Sequence, residues 1–449
     1  MSPHASSTLS AAEVEALASG LEAEGGAAEP LVHAPVHVVY GGAHLYRADS
    51  PAKLGKLARA AMDTWGKDDA TFARLMGVSD AAAKALAPEL ARRVREKLER
   101  DPIEKTCIDF EDGYGPRSDE EEDAEAIRTA TELARAPRAP RPLLGIRIKA
   151  LAGLTVRRAA RTLDLFVTTL ARATDSALPS GFTVTLPKVT RPAEVRALAS
   201  LLGSLEKALG LSGERIGIEL MVETPRALVD HDGRIALPSL VAAADGRCVA
   251  AHLGAYDLTA SIGVTAGEQR LDHPACDAAR LLMQLSLAGT GVVVVDGATT
   301  LLPIASHRET PDVPLTDAQR AINMGDVHTA WALHAAVVRR ALALGIYQGW
   351  DLHPAQVPAR HGAVFAFFLA ERAPMAARLE AFVSKATQAT RSGQVFDDAA
   401  TGQGLLNFFL RGVACGALGD DDVRATGLTF EELRARSFAR IVAARTGST

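Results

Sequence analysis

The stretch GIELMVETPRALVD, residues 217–230, decides how the rest of the chain is read. Ile216, Ile218, Leu220, Met221 and Val222 make 216–222 a buried strand, and Thr224-Pro225 ends it. Yet Glu219 lies inside the run and Glu223 closes it. A buried carboxylate is costly unless a partner meets it, so Glu223 demands one. Similar apolar, β-branched runs recur along the chain: VHVVY (36–40), KTCIDFE (105–111), LLGIRIK (143–149), GFTVTLPK (181–188), RCVAAHLG (247–254), GVVVVDG (291–297) and IYQGWDLHP (346–354). With RIGIELMVE (215–223) these are eight candidate strands. Stretches such as PAEVRALASLLGSLEKALG and VHTAWALHAAVVRRALALG lie between them and read apolar at helical spacing. The intervals are too long for hairpins and fit βα units, which predicts an α/β fold: a (β/α)8 TIM barrel over residues 34–360. An open doubly wound sheet is the rival. Residues 1–33 read as an N-terminal extension, and 361–449 as a helical appendage with a lid loop, RSGQVFDDAATGQG.

The bulk numbers narrow the function classes. The 449 residues are 48% hydrophobic, enough for a large core, and the net charge of −5 gives no footprint for nucleic acid. No run is long and apolar enough to span a membrane, and MSPHASSTLS is no signal peptide. Cys107, Cys248, Cys276 and Cys415 are scattered with no CxxC, as in a reduced, cytoplasmic protein.

In such barrels chemistry sits where the strands end. The ends here carry Asp109, Glu111 and Asp112, then Arg147, Lys188, Glu219 with Glu223, Asp257, Asp296, and Asp351 with His353. Carboxylates facing Arg and Lys predict a charged pocket that needs a cation. Mg²⁺ or Mn²⁺ takes oxygen ligands, often one or two carboxylates plus substrate and water. Glu223 and Asp257, on adjacent strand ends, are the natural pair. Glu219 lies a pleat deeper and is expected to have a structural partner. His353 is expected to hydrogen-bond a loop, and DEEEDAE (119–125) to form an acidic helix start. Gly41-Gly42 is either an anion-binding turn or a plain one.

DFEDGYGPRSDEEEDA, GIRIKAL, TLPKVTRPAEVRAL, IELMVETPRAL, HLGAYDLTASIG, VVVVDGATT and GIYQGWDLHPAQV occur in this order over about residues 105–360. Together they resemble the citrate lyase β-subunit-like branch of the HpcH/HpaI aldolase superfamily, metal-dependent barrel lyases. The resemblance implies metal ligands at Glu223 and Asp257, and Arg147 holding the substrate carboxylate or enolate oxygen. Glu111 and Asp112 match the acidic pair that orients this arginine or the metal waters, and Lys188 matches a position near the pocket. Pyruvate aldolases of the superfamily have a His base where this chain has Asp112. The branch usually lacks that His as well. About 100 residues before DFED and the insert HDGRIALPSL (231–240) depart from the branch.

With the charged pocket, the resemblance implies a divalent-metal-dependent carbon–carbon lyase or aldolase acting on a small oxo or hydroxy acid, as the free acid or its CoA thioester. The general base is Asp112, or Asp397 or Asp398 on the appended loop. In the resembling lyases such an Asp can come from a neighbouring subunit, which implies a homo-oligomer. A phosphoenolpyruvate-dependent phosphotransferase and a catalytically silent barrel are the alternatives.

Overall fold

The computed structural model describes residues 35–137, 142–211, 213, 215–310, 314–391 and 399–446, with positions 10, 12, 15 and 16. The expected extension over 1–33 therefore lies almost wholly outside the described residues, as do Asp397 and Asp398 of the expected lid. All eight expected strands form, seven trimmed to a regular core and the first running two residues past its expected end at 40: β1 His37–Gly42, β2 Lys105–Asp109, β3 Leu143–Arg147, β4 Thr183–Leu186, β5 Gly217–Val222, β6 Cys248–Leu253, β7 Val293–Val295 and β8 Gly349–Asp351. Neighbours pair in parallel in the order β7-β6-β5-β4-β3-β2-β1-β8. A parallel bridge between Val295 and Gln348 joins the two outer strands, and the sheet closes into a barrel. The rival open sheet is thereby excluded.

Helices ring this barrel. Between β1 and β2 the chain inserts α1 Ser50–Trp65, α2 Asp69–Leu75 and α3 Asp80–Arg100. Next come α4 Asp119–Arg135, α5 Val156–Ala173, α6 Pro192–Leu209, the short α7 Pro225–Leu228 and α8 Leu237–Ala243, α9 Ala255–Ser261, α10 Pro274–Leu287 and α11 Asp317–Ala343. After β8 follow α12 Val357–Arg391, α13 Ala399–Ala414, α14 Asp420–Arg424, α15 Phe430–Arg434 and α16 Phe438–Thr446. The acidic run does open a helix: Ser118 caps α4 and Glu121 completes a capping box, placing negative charge at the positive end of the helix dipole.

Two large cores cover the barrel's outside. One packs β2–β7 against α4, α5, α6, α8 and α10. The other joins α1, α2, α3 and α11 to α12 and the C-terminal helices. The 360/361 division falls inside α12, which belongs to that second core. A small third cluster, including Val38, Tyr40, Cys107, Met221, Ala250, Val295 and Trp350, fills the barrel interior. Among the described residues no helix is long and apolar enough to cross a membrane.

Candidate functional site

Strand register brings the charged side chains to one place. Asp109 pairs with Arg147 across β2 and β3, Arg147 with Thr185 across β3 and β4, and Thr185 with Glu219 across β4 and β5. Side chains at such partners point to the same face of a sheet, here the interior. Above them, at the C-terminal ends of the strands, opens a cavity of about 390 Å³ lined by Tyr40, Gly42, Asp109, Asp112, Arg147, Glu223, Gly254, Asp257, Trp350 and others.

Arg147 is 5% exposed, and Asp109 grips it in a bidentate pair, Nε to Oδ1 at 2.7 Å. Its Nη1 lies 3.3 Å from Glu111 and 3.6 Å from Asp112. The orienting carboxylate is therefore chiefly Asp109, with the expected Glu111/Asp112 pair further out. Arg147 also stacks over the Tyr40 and Trp350 rings, at 5.3 and 6.0 Å. Gly113 makes the Asp109 geometry possible, since a Cβ there would meet Asp109 Oδ2 at 2.6 Å. Gly42 serves close approach as well: its Cβ would strike the Gly113 carbonyl at 2.1 Å.

Lys188 ties the expected site residues together. Its ammonium pairs with Glu111, lies 3.2 Å from Asp112 and 3.7 Å from Asp257, and its backbone N–H donates to Glu223 at 2.7 Å. It does so from a left-handed backbone, φ 51°, a strained conformation for a non-glycine residue. Burial alone would lower its pKa, but Glu111, Glu223 and Asp112 outweigh that and raise it, so the ammonium stays charged. Glu111 and Asp112 are driven apart. Burial and Asp112 raise the Glu111 carboxyl against the pull of Arg147. Asp112 is lowered, because Glu111, Arg147 and Lys188 overcome its burial.

Glu223 is 2% exposed, and its carboxyl is pushed up to about 8. Burial is the main cause; the Lys188 N–H and Arg147 act against it, and the Asp257 carboxylate adds to it. Gly254 leaves the room Glu223 occupies, since a Cβ there would fall 2.4 Å from the Glu223 Cβ. A buried carboxyl raised in part by a second carboxylate, both on one cavity wall, is a fit donor set for a hard divalent ion. Among the described residues no group of three or more His, Cys, Asp or Glu is arranged to hold a metal by itself. Remaining positions would fall to substrate and water.

Several polar strand ends do not join the cup. Asp351 and Asp296 are buried but follow inward-facing Trp350 and Val295, so alternation turns them outward. Asp351 binds His37, His334 and Arg360 at 2.7, 3.0 and 3.0 Å, and Asp296 binds Arg280 at 2.8 Å. Glu219 has the structural partners expected of it: Lys105, Thr185 at 3.0 Å and His252 at 3.5 Å. His353 caps a turn, accepting from Ala355 N at 3.2 Å. The Cys107 thiol, pushed up to about 12 chiefly by burial, is no nucleophile.

The family described as "Domain of unknown function (DUF6986)" matches residues 27–441. No curated protein matches the sequence. Among solved structures, a citrate lyase from Burkholderia xenovorans LB400 is 18% identical, with a TM-score of 0.47, covering 75% of this chain and 92% of that one. A citrate lyase beta subunit from M. tuberculosis, complexed with oxaloacetate and magnesium, is 18% identical with a TM-score of 0.40, covering 74% and 98%. The magnesium/glyoxylate complex of Haloferax volcanii malate synthase is 14% identical with a TM-score of 0.40, covering 92% and 97%.

Proposed function

The chain belongs to the DUF6986 family, and from that premise and its charged cup we propose that it is a divalent-metal-dependent carbon–carbon lyase or aldolase acting on a small oxo or hydroxy acid. The carrying observation is Glu223: a carboxyl buried at the cavity wall, held near a pKa of about 8 and facing a second carboxylate, Asp257. The ordered resemblance to the HpcH/HpaI lyases supports the same reading. Glu223 and Asp257 would hold Mg²⁺ or Mn²⁺, which as a Lewis acid favours negative charge on the substrate's oxo oxygen.

This chain's own residues supply the rest. Arg147, fixed by Asp109, offers a permanent charge to the substrate carboxylate or to the oxygen that gains charge. For a 4-hydroxy-2-oxo acid, a base takes the hydroxyl proton and the bond between carbons 3 and 4 breaks. An aldehyde leaves, and the electron pair stays as the enolate, which is then protonated on carbon. Asp112 suits the base role, being ionised and at the mouth; Asp398 (or Asp397) is the other candidate. Lys188, held charged, cannot be the base and steadies the carboxylates instead.

The test is metal-stripped protein given Mg²⁺ or Mn²⁺ and a panel of 4-hydroxy-2-oxo acids and 3-hydroxyacyl-CoA thioesters. Metal-dependent release of pyruvate, glyoxylate or acetyl-CoA is expected, and Glu223→Gln should abolish it. Transfer of phosphate from phosphoenolpyruvate, with no carbon–carbon cleavage, would overturn the reading.

A further inference from the structure

Beneath the cavity floor, buried charge interrupts the apolar side chains that otherwise fill the barrel interior. Lys105 and Glu219 form an ion pair there, 4% and 2% exposed. Glu219 also receives the Thr185 hydroxyl at 3.0 Å and faces Nε2 of the fully buried His252 at 3.5 Å. On the other side of that ring, Nδ1 accepts the Trp350 indole N–H at 2.8 Å. This donor fixes the tautomer: Nδ1 is the acceptor, so in the neutral ring Nε2 carries the hydrogen aimed at Glu219. Trp350 lines the cavity and stacks on Tyr40, with ring centroids 4.5 Å apart and planes 25° apart. The Arg147 guanidinium rests over both rings.

A buried ion pair is weak support for stability, since apolar replacement of the whole pair is often neutral or better. What this one does is orient. Packing leaves an indole a few rotamers, and its single N–H selects among them by finding an acceptor; the acceptor ring here has the Glu219 carboxylate, paired with Lys105, 3.5 Å behind it in an electrostatic contact rather than a hydrogen bond. We propose that Lys105, Glu219 and His252 form a positioning chain inside the barrel that fixes the Trp350 indole as the cavity floor and, through it and Tyr40, the plane of the Arg147 guanidinium. These are positioning residues, not catalytic ones. The consequence for turnover rests on the lyase reading; the orientation of Trp350 does not.

The test uses the full chain labelled with 5-fluorotryptophan and observed by ¹⁹F NMR. Of its three tryptophans, Trp350 is assigned by the resonance lost in Trp350→Phe. His252→Phe removes the acceptor and should move or broaden the Trp350 resonance while leaving those of Trp65 and Trp331 in place. His252→Gln keeps a carbonyl for the indole and an amide for Glu219, and should restore the wild-type position. If His252→Phe does not fold, the double variant Lys105→Met/Glu219→Met removes the pair as a unit and should move the same resonance. In the cleavage assay His252→Phe should lower kcat about tenfold with little change in KM, and His252→Gln should recover most of it. A Trp350 resonance at its wild-type position in folded His252→Phe, or in the folded double variant, overturns the proposal. Absence of any cleavage by wild-type protein overturns the lyase reading alone, because the resonance is read without substrate.

Discussion

A buried carboxyl that prefers its proton couples the fold to pH at one residue, Glu223. Its folded value is raised from the ordinary 4.5 to about 8, so between those values the folded chain binds a proton that the unfolded chain has lost. Stability from this group is then complete below about 4.5 and falls as pH rises towards about 8. The size is on the order of a few kcal/mol. Metal-free wild type should therefore lose Tm over that window relative to Glu223→Gln, and Mg²⁺ should restore it most at the alkaline end, where the carboxylate is already ionised. Scanning calorimetry of both proteins with and without Mg²⁺ checks this; parallel pH curves for the two would defeat it. At Arg147 the expected outcome is kinetic. Arg147→Lys cannot keep the bidentate grip of Asp109, and kcat/KM should fall by about 10²-fold or more; a near wild-type value would make Arg147 structural. Sequence alone pointed to Glu111, Asp112, Arg147, Lys188, Glu223 and Asp257, and the fold gathers all six around one opening. It did not reveal Asp109 as the anchor of Arg147, although strict alternation would have placed both on the interior face. Asp296 and Asp351 were misread by the same omission: each sits one residue past an inward-facing neighbour and turns to the helices.

The turn after β4 carries strain that a substitution can release. Lys188 holds φ 51° so that its N–H reaches Glu223 while its ammonium reaches Glu111. Lys188→Gly and Lys188→Met both remove the ammonium, but only glycine adopts that backbone freely. Lys188→Gly should accordingly be more stable than Lys188→Met by about 1 kcal/mol, as urea unfolding would measure. Equal stability would mean that the turn relaxes once the ammonium is gone. Strand identity was legible because buried parallel strands read as continuous apolar runs bounded by glycine, proline or charge. Strand ends were less legible: the apolar run GVVVVDG spans 291–297, yet only Val293–Val295 pair regularly. The register shift between Ile218 and Glu219 in the β5–β6 pairing left no mark in the sequence either, since a bulge depends on the partner strand as much as on its own residues.

At the level of the whole molecule, the apolar pattern after residue 360 correctly announced helices but not what they cover. AVFAFFLAE, residues 363–371, lies within α12, and Phe365 and Phe368 are fully buried. Part of their cover comes from further along the chain: Leu406, Phe409, Phe438 and Ile441 sit in the same core as α1, α2 and α3. A polar clasp reinforces it, because Asp422 receives Arg93 from α3 and Arg372 from α12, both at 3.2 Å, and Arg93 also donates to the Ala417 carbonyl at 2.6 Å. The inserted helices between β1 and β2 and the final helices thus close one core together, which no local periodicity discloses. Ending the chain at residue 391 should therefore do more than remove an appendage. It would bare the faces of α12 and α3 that α13 to α16 cover, a contiguous apolar surface of the kind that drives association. It would also leave Arg93 and Arg372 without Asp422. The expected result is a chain that aggregates or unfolds at a lower urea midpoint than the full chain. Size-exclusion chromatography and urea unfolding of the two chains decide the matter: a monomeric truncated chain with a near wild-type midpoint would show that the barrel stands without its C-terminal helices.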